Sequence, residues 1–161
     1  MNGPANGTGV VPMDVVTSQD GLTFLQGLIA GKYPPPPITE TLGFTLVEVE
    51  LGRAKFAGTP SFKLYNPINV VHAGWAATLL DSALGCAVHS TCTKGEAYTT
   101  LELKVNLVRA ITQDTGEVFS EARILHRGRT VGTAEAYLRD AAGKLYAHAT
   151  TTCMIFPAKA G

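Results

Sequence analysis

Several features that mark specialised proteins are scarce in this sequence of 161 residues. Basic residues are not in excess, because 13 Lys and Arg balance 13 Asp and Glu, whereas duplex-binding proteins rely on basic contacts with phosphates. No apolar run approaches the ~20 residues that span a bilayer. No Lys or Arg precedes Lys32, which is untypical of a secretory signal peptide. We therefore expect neither nucleic acid nor a membrane among the partners.

Cysteine and histidine occur in patterns that argue against disulfide and metal sites. The cysteines are odd in number and include no C-x-x-C pair: Cys86, Cys92 and Cys153. Without an export signal, this pattern favours reduced thiols and a cytoplasmic protein. The histidines show none of the short spacings typical of metal ligands: His72, His89, His126 and His148. We therefore predict no metal site.

The length and the 45% hydrophobic content favour one domain with a packed core. Residues 1–20 are rich in Gly, Asn, Thr and Pro without periodicity, which predicts a flexible or draped N-terminal arm before a domain at 21–161. Apolar residues at helical spacing predict a short helix from Leu22 to about Gly31. The prolines at 34–37 predict an extended connector in preference to a signalling ligand.

Hydrophobic periodicity then predicts six strands and one long helix. A period of two begins at Thr41 and continues, after a break, through a return strand at 53–58. The helix at 75–89 is apolar nearly all round and is therefore expected to be buried. Four further strands, expected to form an antiparallel meander, lie near 101–107, 117–126, 131–139 and 145–156. One antiparallel sheet wrapped around one central helix covers every apolar face, and this α+β arrangement is the hotdog fold.

Asp81 is the residue most informative about function. It lies in the middle of the apolar helix, where a carboxylate is costly unless it is partnered or hydrated. One interpretation is a structural residue that caps or hydrogen bonds a neighbouring loop. The other is a functional carboxylate, because active sites commonly contain carboxyl groups with perturbed pKa values. The residue pattern leaves both interpretations open.

The start of the same helix is a second candidate site. A helix N-terminus presents unpaired N–H groups and a partial positive charge, here from Ala73, Gly74 and Trp75. Small residues there let a substrate carbonyl approach the backbone, as an oxyanion hole requires. The alternative is a glycine that serves only a turn. His72, at the junction of loop and helix, is either a hydrogen-bonded structural residue or a catalytic one.

Residues 66–81, N-P-I-N-V-V-H-A-G-W-A-A-T-L-L-D, resemble the motif N-x5-H-G-G-x6-D/E of the PaaI-like acyl-CoA thioesterases of the phenylacetate pathway. The proline run and the segments Y-T-T-L-E-L-K-V-N-L-V-R-A and H-R-G-R-T-V-G-T-A-E-A are also similar to that family, so the resemblance covers roughly residues 22–157. It implies hydrolysis of a coenzyme A thioester without a cofactor, in a homodimer or homotetramer.

The resemblance also implies catalytic roles for the matching positions. Asp81 corresponds to the family's nucleophile or general base, and the N–H of Ala73 corresponds to the donor that faces the thioester oxygen. Asn66 corresponds to a residue that orients the substrate or the attacking water, and His72 to one that orders the loop before the helix. Ala73 replaces the family's first glycine, and its N–H can serve if its φ is negative. Gly74 matches the second glycine.

Further positions are candidates for assisting or for binding the substrate. The family's hydroxyl residue, supplied by the partner subunit, corresponds best to Thr100, with Thr99 as the near alternative. Trp75 is a candidate for an aromatic pocket or for the core. Arg127 and Arg129, like Lys104 and Arg109, either contact the coenzyme A phosphates or are solvated charges. Two other functions stay open: a hotdog enoyl-CoA hydratase and a non-catalytic acyl-CoA-binding protein.

Overall fold

The computed structural model describes residues 7–158 of the chain. Within that range the helices are α1 (Met13–Thr17), α2 (Gly21–Ile29), α3 (Pro37–Leu42) and α4 (Ala73–His89). The strands are β1 (Phe44–Glu50), β2 (Arg53–Gly58), β3 (Glu96–Leu107), β4 (Val118–Arg127), β5 (Val131–Asp140) and β6 (Leu145–Pro157). They form one antiparallel sheet in the order β1-β2-β4-β5-β6-β3, which packs on α4. The predicted hotdog fold is confirmed.

The helix α4 is the centre of the core and contacts all six strands. Leu79, Leu80 and Leu84 have no exposed surface, and the burial of each contributes roughly 2 kcal/mol to folding. Small side chains on the facing strands let the helix approach the sheet closely: Ala54, Ala122, Ala134, Ala136, Ala147 and Ala149. Among residues 7–158, no helix is both long and apolar enough to cross a membrane.

The segment between α2 and β1 is more helical than the sequence pattern indicates. The strand expected from Thr41 begins at Phe44, because α3 precedes it. Pro37 is the first residue of α3, where the absence of an N–H leaves no helical hydrogen bond unmade. Gly43 ends α3 with a φ of 68°. The extended connector is therefore limited to residues 34–36.

The expected meander of the last four strands is wrong for β3. The strands β4, β5 and β6 pair in succession, but β3 pairs with β6 and not with β4. The chain passes from β2 through α4 before it reaches β3, so β3 joins the far edge of the sheet while β4 returns beside β2. As a result, β3 has one hydrogen-bonded neighbour and one open edge within residues 7–158.

A β-bulge in β3 decides which of its side chains face α4. Thr100 pairs with Cys153 and the next pair begins at Glu102, so Leu101 is an extra residue between them. Strict alternation with Leu103 would place Leu101 inside and Thr100 outside. Instead, Leu101 is 59% exposed and Thr100 faces the helix. The bulge therefore turns a hydroxyl group, and not a leucine, toward α4.

The predicted N-terminal arm is in contact with the domain where the structure describes it. The short helix α1 packs on α2, the Gly9 N–H donates to the Pro35 carbonyl at 2.9 Å, and the Thr8 hydroxyl donates to Glu40 at 3.0 Å. The first six residues of the arm and the last three of the chain lie outside the described residues. The flexibility of the arm stays a prediction.

Candidate active site

Asp81 lies half-buried on α4, and its carboxylate meets a hydroxyl group from β3. The Thr100 Oγ1 donates to the Asp81 Oδ1 at 3.4 Å, and the same hydroxyl lies 3.9 Å from the Cys153 sulfur. The resemblance implied a hydroxyl from the partner subunit, but here one chain supplies both groups. Thr99, the alternative, is exposed and on the opposite face of β3, because neighbouring residues of a strand point to opposite sides.

The surroundings of Asp81 favour its protonated form more than water does. Burial raises the pKa of the Asp81 carboxyl, and the hydrogen bond from Thr100 opposes that rise in part. No ion pair to Asp81 forms within residues 7–158. Burial, with the nearby charge of Asp81, raises the pKa of the Cys86 thiol to about 12, so Cys86 stays a neutral thiol near pH 7. Cys86 therefore does not compete with Asp81 as the candidate functional group of this stretch.

The start of α4 offers one free backbone donor and not three. His72 caps the helix, because its Nδ1 accepts from the Gly74 N–H at 2.9 Å. The Trp75 N–H donates to the His72 carbonyl at 3.0 Å. The N–H groups of Gly74 and Trp75 therefore already have acceptors, and the expectation that they are unpaired is wrong. The exposed Ala73 keeps an N–H without an acceptor in the described range.

Asn66 shapes the loop that leads into α4. Its Oδ1 accepts from the N–H groups of Ile68 and Val70, at 3.0 and 3.3 Å. These bonds form a turn that brings Asn66 to the helix start. A cleft of about 380 Å³ lies there, and its walls include Asn66, His72, Ala73, Arg109 and Ile111. The structure thus brings Asn66, His72 and Ala73 together.

The candidate residues form two groups that are separated along α4. Ala73 and Asp81 are eight residues apart on one helix, which corresponds to about 12 Å. The cleft group contains Asn66, His72 and Ala73, and the mid-helix group contains Asp81 and Thr100. A single carbonyl group cannot contact both groups of one chain at once.

The residues predicted to bind the substrate differ in their exposure and in their partners. Trp75 is only 3% exposed and its indole N–H donates to the Leu42 carbonyl at 2.8 Å, so of its two interpretations the structure supports a place in the core. Arg127 forms a half-buried ion pair with Glu96 at 2.7 Å, which already balances its charge. Arg129 is exposed in the turn between β4 and β5, and no acidic partner for it occurs in the part described.

Sequence reasoning missed Tyr98, which lies beside the Asp81 group. It precedes Thr100 by two residues on β3, so both side chains face α4. Its hydroxyl lies against Gly85, one helical turn after Asp81. Its place two residues before Thr100 was the signal that could have identified it. Across residues 7–158, no three His, Cys, Asp or Glu side chains cluster as a metal site.

Comparison with known proteins identifies the family of this chain. The family model of the thioesterase superfamily matches residues 68–147, which include all of α4 and β3. A conserved protein of Pseudomonas aeruginosa is 32% identical, with a TM-score of 0.69 over 74% of this chain and 94% of its own. The chain belongs to the thioesterase superfamily. In the hotdog fold of this superfamily member, the motif of residues 66–81 places Ala73 at the start of α4 and Asp81 in its middle.

This superfamily member is also similar to two further proteins. A candidate thioesterase of Ralstonia eutropha JMP134, a phenylacetic acid degradation-related protein, is 29% identical. It covers 81% of this chain and 98% of its own with a TM-score of 0.73, and it confirms the PaaI-like resemblance. A candidate esterase of Halobacterium salinarum is 40% identical over 67 residues, which are 40% of this chain. That match spans 42% of the curated relative.

Proposed function

We propose that this chain hydrolyses acyl-CoA thioesters to a free acid and coenzyme A. The observation that supports this best is the half-buried Asp81 in an apolar helix, whose one hydrogen-bond partner among residues 7–158 is the hydroxyl of Thr100. Membership of the thioesterase superfamily supports the same reaction class. If Asp81 had a structural role, we would expect it to hydrogen bond a loop or to pair with a cation. Within the described residues it does neither.

In the reaction, Asp81 takes a proton from a water molecule while the water oxygen attacks the thioester carbonyl carbon. The carbonyl oxygen becomes an oxyanion and accepts a hydrogen bond from the N–H of Ala73. In other enzymes, such a hydrogen bond stabilises the transition state by roughly 3–4 kcal/mol. The tetrahedral intermediate then expels the thiolate of coenzyme A, which needs little acid assistance. In a variant of this scheme, Asp81 attacks the carbonyl carbon directly and water then hydrolyses the resulting anhydride. An isotope experiment distinguishes this variant from direct attack by water.

We further propose that two copies of the chain complete each site. The supporting observation is the separation of eight residues between Ala73 and Asp81 along α4, a rise of about 12 Å that is too long for one carbonyl group. The open edge of β3 supports pairing with a second copy, because an unpaired strand edge is a template for another strand. In a symmetric dimer, Ala73 of one chain would serve Asp81 and Thr100 of the other.

The remaining site residues take supporting roles in this proposal. Asn66 holds the loop through its Oδ1 and keeps its amide group for the substrate or the attacking water. His72 positions Ala73 by capping the helix. The exposed Arg129 meets a phosphate of coenzyme A. The reaction as written uses only water as a co-reactant, so it requires no cofactor.

The test is an assay of free-thiol release on a panel of acyl-CoA and enoyl-CoA esters. We expect release of coenzyme A by the parental chain and its near-complete loss in Asp81→Asn. Hydration of the enoyl double bond without thiol release would indicate a hydratase instead. Binding of the esters without turnover would indicate a non-catalytic acyl-CoA-binding protein. Either result would reject the proposal.

A further inference from the structure

One stripe of α4 becomes steadily less exposed from its beginning to its end. Gly74 is exposed, Thr78 and Asp81 are half-buried, and Gly85 and His89 are buried. These residues follow one another at intervals of three or four, so they lie on one side of the helix. A thioester held at Asp81 therefore has an enclosed side toward Gly85.

Tyr98 occupies the enclosed side. A methyl group placed on Gly85 would lie 3.0 Å from the Tyr98 hydroxyl oxygen and 3.2 Å from its ring edge. The ring therefore reaches the helix backbone only because position 85 has no side chain. Thr100 contacts Asp81 from the same strand at 3.4 Å, so the Tyr98 ring follows immediately beyond the reactive carboxylate.

The Tyr98 ring is held in place from behind by other aromatic groups. The His89 ring packs on it at a centroid distance of 5.0 Å, and Phe24 of α2 packs on His89 at 5.6 Å. Burial lowers the pKa of His89 to about 4 and raises that of Tyr98, so both rings are neutral near pH 7. The result is a packed, uncharged aromatic wall.

The two parts of the substrate differ in where they can lie. The coenzyme A part is large and charged and must stay in contact with water, so it cannot lie on the buried side of Asp81 toward Gly85. The acyl part is apolar and is directed to the enclosed side, where it meets the Tyr98 ring. Resting on the proposed hydrolase function, we propose that Tyr98, seated against Gly85, closes the acyl end of the site and restricts this protein to short acyl groups.

The experiment compares kcat/KM for acetyl-, butyryl-, hexanoyl- and octanoyl-CoA in the parental chain, Tyr98→Leu and Tyr98→Phe. We expect the parental chain to favour the two shorter esters. Tyr98→Leu removes the ring, so kcat/KM for the longer esters should rise about fourfold for each methylene that enters the new space. Tyr98→Phe keeps the ring and should keep the parental dependence on chain length.

Gly85→Ala provides a second test that leaves the ring intact. Its methyl group would lie 3.0 Å from the Tyr98 hydroxyl oxygen, so the ring must shift, and the ratio of kcat/KM for butyryl-CoA to that for acetyl-CoA should change. An unchanged chain-length profile in a folded Tyr98→Leu or Gly85→Ala variant would overturn the inference. So would a parental preference for octanoyl-CoA. Absence of thiol release from every ester by every variant would instead reject the hydrolase function, so the two failures are distinguishable.

Discussion

Asp81 carries a cost in stability that its function would explain. Because burial raises its pKa in the folded chain, the folded state binds the Asp81 proton more tightly than the unfolded state does. The ionised carboxylate therefore lowers the free energy of unfolding at neutral pH. This cost declines as the pH falls through the folded pKa and is gone below the unfolded pKa. A group that only stabilised the fold would have the opposite dependence.

Replacing Asp81 by Asn should separate these effects. We expect turnover of acyl-CoA to fall by about 10²- to 10⁴-fold, because the amide cannot accept the proton of water. The KM should change far less. The control Asp114→Asn makes the same chemical change at an exposed turn and should leave turnover unaltered. Undiminished hydrolysis by a folded Asp81→Asn chain would rule out the mechanism.

The same variant makes a prediction about pH. The free energy of unfolding of Asp81→Asn should exceed that of the parental chain at neutral pH. The difference should vanish at about pH 3, where the Asp81 carboxyl is neutral like the amide that replaces it. Urea denaturation at the two pH values measures this. A parental chain that is more stable than the variant at neutral pH would instead support a structural role for Asp81.

Arg127 and Arg129 differ in their pairing, which predicts different defects. Arg129→Ala should raise the KM for acyl-CoA at low salt, and added salt should remove the difference, because exposed charges are screened. Arg127→Ala should mainly lower stability, by about 1 kcal/mol or less, because it breaks a half-buried pair with Glu96. Michaelis kinetics and denaturation on the same preparations measure both. A salt-independent KM in Arg129→Ala would contradict its contact with phosphate.

At the scale of the element, α4 depends on its first residues for both stability and function. His72→Ala should lower the free energy of unfolding by about 1 kcal/mol, because the Gly74 N–H loses its acceptor. His72→Asn supplies another capping oxygen and should recover most of that loss. Chemical denaturation measures all three chains. Equal losses in both variants would show that the cap contributes nothing to stability.

At the scale of the whole molecule, sharing of the site between copies can be tested by complementation. Ala73→Pro removes the N–H at the first helical position, where proline is tolerated, and His72 already has the extended conformation that precedes proline, with ψ of 135°. Asp81→Asn removes the carboxylate of the other group. Each variant alone should be nearly inactive. After mixing and refolding, random pairing should restore roughly a quarter of parental turnover, because each mixed dimer has one intact site.

Two results would contradict that arrangement. Folded variants that fail to complement each other would place the whole site in one chain. A monomer in light scattering that retains full activity would do the same. The assembly as a dimer or a tetramer of this chain stays a prediction until such measurements are made.

Local patterns in the sequence were sufficient for the helix α4, for the strands β2, β5 and β6, and for the motif from Asn66 to Asp81. Periodicity and motif spacing are properties of neighbouring residues, so the sequence determines them directly. Other features depend on contacts between distant segments, and only the tertiary structure decided them. Thr100 meets Asp81 because a bulge opposite β6 turns it inward, and Trp75 belongs to the core because Leu42 accepts its N–H. Such outcomes arise from burial and pairing across the fold, which no local spacing encodes.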